Sequence, residues 1–118
     1  MKLMSLEFPL SSDIMTTVRL VTGGVCALVG FDLDETEDCK VCVTESLLLL
    51  IRGGAKNARL SFEQGDSLNI FLEAENMKAA DKSVEDEISV ALLSALVEGL
   101  DIQKGKDFTR ISFGFKAL

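Results

Sequence analysis

Residues 33–51 read LDETEDCKVCVTESLLLLI, and this stretch predicts the central helix of the fold. Asp32 followed by Glu35 is typical of a capping box at a helix start, and Gly53 with Gly54 predicts the helix end. The apolar residues recur at helical spacing, so we expect a helix that is buried on most sides. They include Cys39, Val41, Val43, Leu47, Leu48, Leu50 and Ile51.

Shorter elements flank this helix on both sides. The alternation and spacing of apolar residues predict strands at 2–8, 58–62, 68–72, 100–103 and 108–115, and further helices at 14–29 and from Ser83 onward. The resulting order is β-α-α-β-β-α-β-β. It predicts a single α+β domain over residues 1–118, a two-layer α/β sandwich whose mostly antiparallel sheet carries helices on one face.

Two local patterns carry further expectations for the last helix. Its apolar residues Ile88, Ala91, Leu92, Ala95 and Leu96 form a stripe that we expect to be buried. Gly99 is expected to end the helix in a left-handed conformation. The preceding polar residues 75–82 are expected to form a loop.

Composition excludes several classes of function. The chain has 118 residues, a formal charge of -7, and no histidine, tyrosine or tryptophan. The acidic charge disfavours nucleic acid and anionic membranes, and the absence of histidine removes imidazole as a base or metal ligand. No apolar stretch reaches the roughly 20 residues of a membrane span or resembles a signal peptide, so a cytoplasmic location is expected.

Three cysteines occur, at positions 26, 39 and 42. Cys39 and Cys42 have the CxxC spacing of a redox motif, but they lie inside a helical pattern and not at a strand-to-helix turn. We expect reduced, structural thiols and no metal site.

Several strings in this chain resemble the GHKL (histidine-kinase-like) ATPase fold as used by bacterial anti-sigma serine kinases. Residues 37–45, EDCKVCVTE, resemble the run that enters the first nucleotide motif of that family. Residues 95–98, ALVE, resemble part of its final helix. The resemblance extends over nearly the whole chain.

The nucleotide motifs are altered at almost every position that the resemblance identifies. In the first, a glutamate and an asparagine one helical turn apart organise water and magnesium; Glu45 is present, but Leu49 replaces the asparagine. The Asp-x-Gly-x-Gly of the second corresponds to Ala74, Asn76 and Lys78. The Gly-x-Gly of the third corresponds to residues 87–89, with Glu87 and Ser89 at the glycine positions.

The resemblance therefore implies a protein-binding regulatory module without catalytic activity or cofactor, in which these residues line a vestigial nucleotide pocket. Its expected partner is a sigma factor, an anti-sigma antagonist or, as a homodimer, a second copy of the chain. Two alternatives remain open. One is an active ATP-dependent serine kinase with Glu45 as general base, and the other is an unrelated small α+β scaffold.

Overall fold

The computed structural model describes residues 1–75 and 84–116, and the predicted order of elements is confirmed within them. A short 3₁₀ turn at Ser12–Ile14 precedes the first helix. The strands are β1 (Lys2–Pro9), β2 (Asn57–Gln64), β3 (Ser67–Glu75), β4 (Glu98–Lys104) and β5 (Phe108–Lys116). The helices are α1 (Met15–Leu28), α2 (Leu33–Arg52) and α3 (Val84–Leu96). The predicted loop at 75–82 begins too early, because Glu75 still belongs to β3, and residues 76–83 lie outside the described part of the chain.

The five strands form one sheet in the order β1-β2-β3-β5-β4, and every neighbouring pair is antiparallel. Alternate residues of β2, β3 and β5 are buried, which places one face of the sheet in the core. The predicted α+β architecture is confirmed. The buried side chains of this face include Leu60, Phe62, Leu68, Ile70, Leu72, Ile111 and Phe113.

The central helix α2 contacts β3, β5 and both other helices. Its start is fixed by the predicted capping box: the Glu35 amide donates to Asp32 Oδ1 over 2.8 Å, and the Asp32 amide donates to Glu35 Oε1 over 2.9 Å. Gly53 caps its end. The prediction of burial on most sides is too broad, because Val41 lies on an exposed side of the helix.

Two expectations about α3 are wrong. Its buried residues are Ser89 and Leu93. Of the apolar stripe predicted for the core, only Leu96 packs against it, while Ile88, Ala91, Leu92 and Ala95 are exposed. The helix ends at Leu96 before Gly99, which lies inside β4 with a φ of 62°. There it belongs to a bulge, since the register with β5 shifts between Glu98 and Asp101.

The face of the sheet away from the helices carries a row of charged residues. Glu7, Arg59, Glu73 and Arg110 stand opposite one another on β1, β2, β3 and β5. Arg59 bonds Glu7, and Arg110 Nε lies 3.0 Å from Glu73 Oε1. Arg110 also lies over the ring of Phe71. Opposite charges thus alternate across four strands of the exposed face.

Candidate functional site

The polar contacts between α2 and α3 bring together two of the residues that the sequence assigned to the nucleotide pocket. Glu45 lies in the middle of α2, and Ser89 lies in the second turn of α3. Ser89 is almost completely buried, and its Oγ donates to Glu45 Oε2 over 3.2 Å. The first and third motif positions are therefore joined directly by their own side chains.

Arg52 extends this contact into a network. It is the last residue of α2, and its Nη2 donates to Ser89 Oγ over 2.6 Å. Its Nε donates to Asp86 Oδ1 over 2.5 Å, and its Nη2 also donates to the Glu85 carbonyl over 3.3 Å. Ser89 thus accepts from a guanidinium and donates to a carboxylate. Hydrogen bonds of charged side chains therefore join the C-terminal end of α2 to the first turns of α3.

Helical spacing explains why this network faces α3. Glu45, Leu49 and Arg52 occupy positions i, i+4 and i+7 of α2, which lie on one face of a helix. Leu49 is partly buried and packs against the hydrophobic core. The position at which the resembling family carries an asparagine is therefore occupied here by an apolar side chain that belongs to the packing of the core.

The first turn of α3 is strongly acidic. It carries Glu85, Asp86 and Glu87, and Asp86 is paired with Arg52. Carboxylates stabilise a helix N-terminus, but they also oppose a second anion at the same place. Glu87 is exposed to solvent, and no hydrogen bond joins it to Glu45 among the described contacts.

The remaining predicted pocket positions follow β3. Ala74 is buried, faces the helices and stands opposite Thr109 of β5. A methyl group there offers no hydrogen-bond partner to a purine. Asn76 and Lys78 lie outside the described residues.

The three thiols are buried where α1 and α2 meet, and they take no part in the network of Arg52, Ser89 and Glu45. Cys26 of α1 and Cys39 of α2 are in contact, and Cys39 and Cys42 lie inside the helix as the sequence predicted. Burial, helped by the charges of Asp38 and Glu45, raises the pKa of Cys42 to about 12. No cluster suited to a metal ion occurs within residues 1–75 and 84–116.

Arg52 is the residue of this site that sequence reasoning missed. At the end of a helix, an arginine is readily explained by the negative pole of the helix dipole. Its spacing of seven residues from Glu45 places both residues on the same face of α2, but the spacing does not show that α3 packs on that face.

The comparisons with known proteins concern the fold of the chain. No protein-family model and no curated protein matches the chain. Among solved structures, the crystal structure of the RsbU and RsbW domains of Rv1364c from Mycobacterium tuberculosis matches with a TM-score of 0.71 at 15% sequence identity. The two chains share a fold. The match covers 97% of this chain and 32% of that chain, so the present chain spans about a third of the length of its structural neighbour.

This likeness agrees with the α+β architecture of three helices and a five-stranded antiparallel sheet. At this identity it concerns the fold alone. None of the helices in the described part of the chain has the length and apolarity that crossing a bilayer requires.

Proposed function

We propose that this chain is a protein-binding regulatory module of the anti-sigma type, located in the cytoplasm, in which the nucleotide site of the GHKL fold is lost. The fold shared with the RsbU and RsbW domain structure supports a regulatory role. The observation that carries the loss of the nucleotide site is the network of Arg52, Ser89 and Glu45 between α2 and α3.

The residues of this region do not fit a magnesium nucleotide. Magnesium prefers oxygen ligands in octahedral geometry, and Leu49 provides none where the family places an amide. Glu45 already accepts a hydrogen bond from Ser89, so its carboxylate is engaged within the protein. Both features oppose the serine kinase alternative, in which Glu45 would act as general base.

Electrostatics oppose the phosphate groups as well. A helix N-terminus binds phosphate through free amides and positive potential. In α3 that potential meets three carboxylates in the first turn, and the Arg52 guanidinium beside them is paired with Asp86. A triphosphate approaching this end of α3 would face like charge.

Titration with nucleotide tests the proposal. We expect no saturable heat and no thermal shift when ATP or ADP, with or without magnesium, is added to about 1 mM, since typical nucleotide sites saturate in that range. A sigma factor that binds the chain should bind equally well with and without magnesium and ATP.

Saturable, magnesium-dependent binding of ATP would contradict the proposal. In that case Glu45→Ala should abolish the magnesium-dependent heat, whereas Glu63→Ala on β2 serves as a matched control outside the site. If nucleotide is not bound and no sigma factor or anti-sigma antagonist of the same organism binds either, the anti-sigma assignment is wrong and the unrelated scaffold remains.

A further inference from the structure

The outward face of α3 is apolar and exposed. Val84 is 68% exposed, Ile88 56% and Leu92 39%, and Ala91 and Ala95 are also exposed between and beyond them. These five side chains form the outer stripe of α3. Within the described residues, no other element of the chain covers it.

The outer stripe lies opposite the buried side of the helix. Successive residues of a helix are about 100° apart, which places Val84, Ile88 and Ala95 within a narrow sector. The buried residues Ser89 and Leu93 occupy the sector on the other side of the axis. A helix that is apolar on both sides is typical of one buried on both sides, and in α3 only one side is buried by the described chain.

Negative charge borders the outer stripe on both sides. The helical positions place Glu85 along one edge and Glu87 along the other, and both side chains are exposed. No lysine or arginine occurs in α3. A helix packed on the stripe would bring its own flanking residues beside these two carboxylates, as the e and g positions of a coiled coil do.

This pattern disfavours a second copy of α3 as the occupant. Two copies paired side by side would bring carboxylates together, or carboxylates against uncharged residues, and no cation of α3 would offset them. The charge of -7 on the whole chain adds to that repulsion, and it also disfavours an anionic membrane.

We propose that the outer stripe of α3 is the docking site for an amphipathic helix of a protein partner, with basic residues flanking its apolar face. The proposal rests on the proposed function as a protein-binding module and names the surface and the chemistry of the partner. Apolar contact gives affinity, and the two carboxylates select basic flanks over acidic ones.

A designed peptide tests the surface directly. The probe is a fluorescein-labelled helical peptide of about 18 residues with leucines on one face and lysine or arginine beside them. We expect saturable binding to the full chain that weakens about tenfold in Ile88→Gln or Leu92→Gln. Leu20→Gln on α1 is the matched control, because Leu20 is an equally large apolar residue, 70% exposed, on another helix.

Two companion peptides separate charge from shape. A peptide with the same apolar face and glutamate flanks should bind at least about tenfold more weakly, and a peptide with the same charge but a scrambled apolar face should not saturate. Glu87→Gln should weaken the binding of the basic peptide about threefold at low salt and by less at high salt.

Several outcomes would overturn the inference. These are no binding of the basic peptide, equal binding of the glutamate peptide, or equal loss in Leu20→Gln and Ile88→Gln. A concentration-dependent dimer that disappears in Ile88→Gln would assign the stripe to self-association instead. If the basic peptide does not bind, while a sigma factor binds and nucleotide does not, only this inference is wrong. If the basic peptide binds as expected but ATP binds with magnesium, only the proposed function is wrong.

Discussion

Ser89 is a small residue with two charged neighbours. Its hydroxyl accepts a hydrogen bond from Arg52 and donates one to Glu45, and the residue is almost completely buried. Hydrogen bonds to charged groups contribute more than neutral ones, because an ionised partner attracts the dipole of the hydroxyl more strongly. One oxygen atom therefore connects a cation and an anion across two helices.

Ser89→Ala should reduce the free energy of unfolding by about 2 kcal/mol, since it leaves both charged groups one partner short. Urea denaturation at pH 7 would measure the change. Ser94→Ala, at an exposed position of the same helix, is the matched control and should change stability by less than about 0.5 kcal/mol. Equal effects of the two substitutions would show that the buried hydroxyl contributes nothing particular.

At the scale of elements, two glycines have opposite roles. Gly99 adopts a φ of 62° in the bulge of β4, a conformation that favours glycine. Gly24 lies inside α1, where an added Cβ would meet no atom within 4 Å. The neighbouring Gly23 differs, since an added Cβ there would lie 3.0 Å from Lys40 Cε.

Alanine substitutions should therefore change stability in opposite directions. Gly99→Ala should lower the free energy of unfolding by about 1 kcal/mol, because a Cβ is crowded in the left-handed conformation. Gly24→Ala should raise the free energy of unfolding by about 0.5–1 kcal/mol, because alanine loses less backbone entropy than glycine when the helix forms. Thermal unfolding of both variants in parallel checks the signs; a stabilised Gly99→Ala would rule out the strained bulge in solution.

The elements differ in how well the sequence predicted them. The limits of α2 were predicted because the capping box and the terminal glycines are local. The buried side of α3 was not, since both of its sides are apolar and only tertiary contacts with α2 decide between them. Gly99 was assigned to a helix end because a left-handed glycine serves equally in a bulge.

The candidate site shows the same limit. Glu45 and Ser89 were identified through the family resemblance, and the structure brings them into contact. Arg52 was not found, because its role depends on how α3 lies against the end of α2, and no local pattern encodes that distance.

For the molecule as a whole, the buried thiols make the free energy of unfolding depend on pH in the alkaline range. Burial raises the pKa of Cys42 from the ordinary 9.0 to about 12, and the hydrogen bond with Cys26 together with burial raises the pKa of Cys39. A group whose pKa is raised in the folded state holds its proton longer there than in the unfolded chain. Its stabilising contribution is complete below pH 9 and is lost as pH rises toward 12.

Stability should thus fall above pH 9 by up to about 1.4 kcal/mol per pH unit for Cys42. Urea titrations between pH 8 and 11 would measure this slope, and Cys42→Ala should make it shallower, with the contribution of Cys39 remaining. Ser94→Ala, at an exposed position of α3 without a titratable group, should leave the slope unchanged. A slope that Cys42→Ala does not alter would assign the alkaline loss to other groups.

The charged row on the exposed face of the sheet has a consequence for strand alignment. β1 is an edge strand, and residues 10–56, with two helices, separate it from its partner β2, so no tight turn fixes how the two strands meet. A slip by one residue would turn apolar side chains to water, but a slip by two would restore the alternation. Such a slip would set Arg59 opposite Ser5 or Pro9 and would leave Glu7 without its cation. The pair of Glu7 and Arg59 thus distinguishes the correct alignment from a slip by two residues, which the alternation of apolar side chains alone would tolerate.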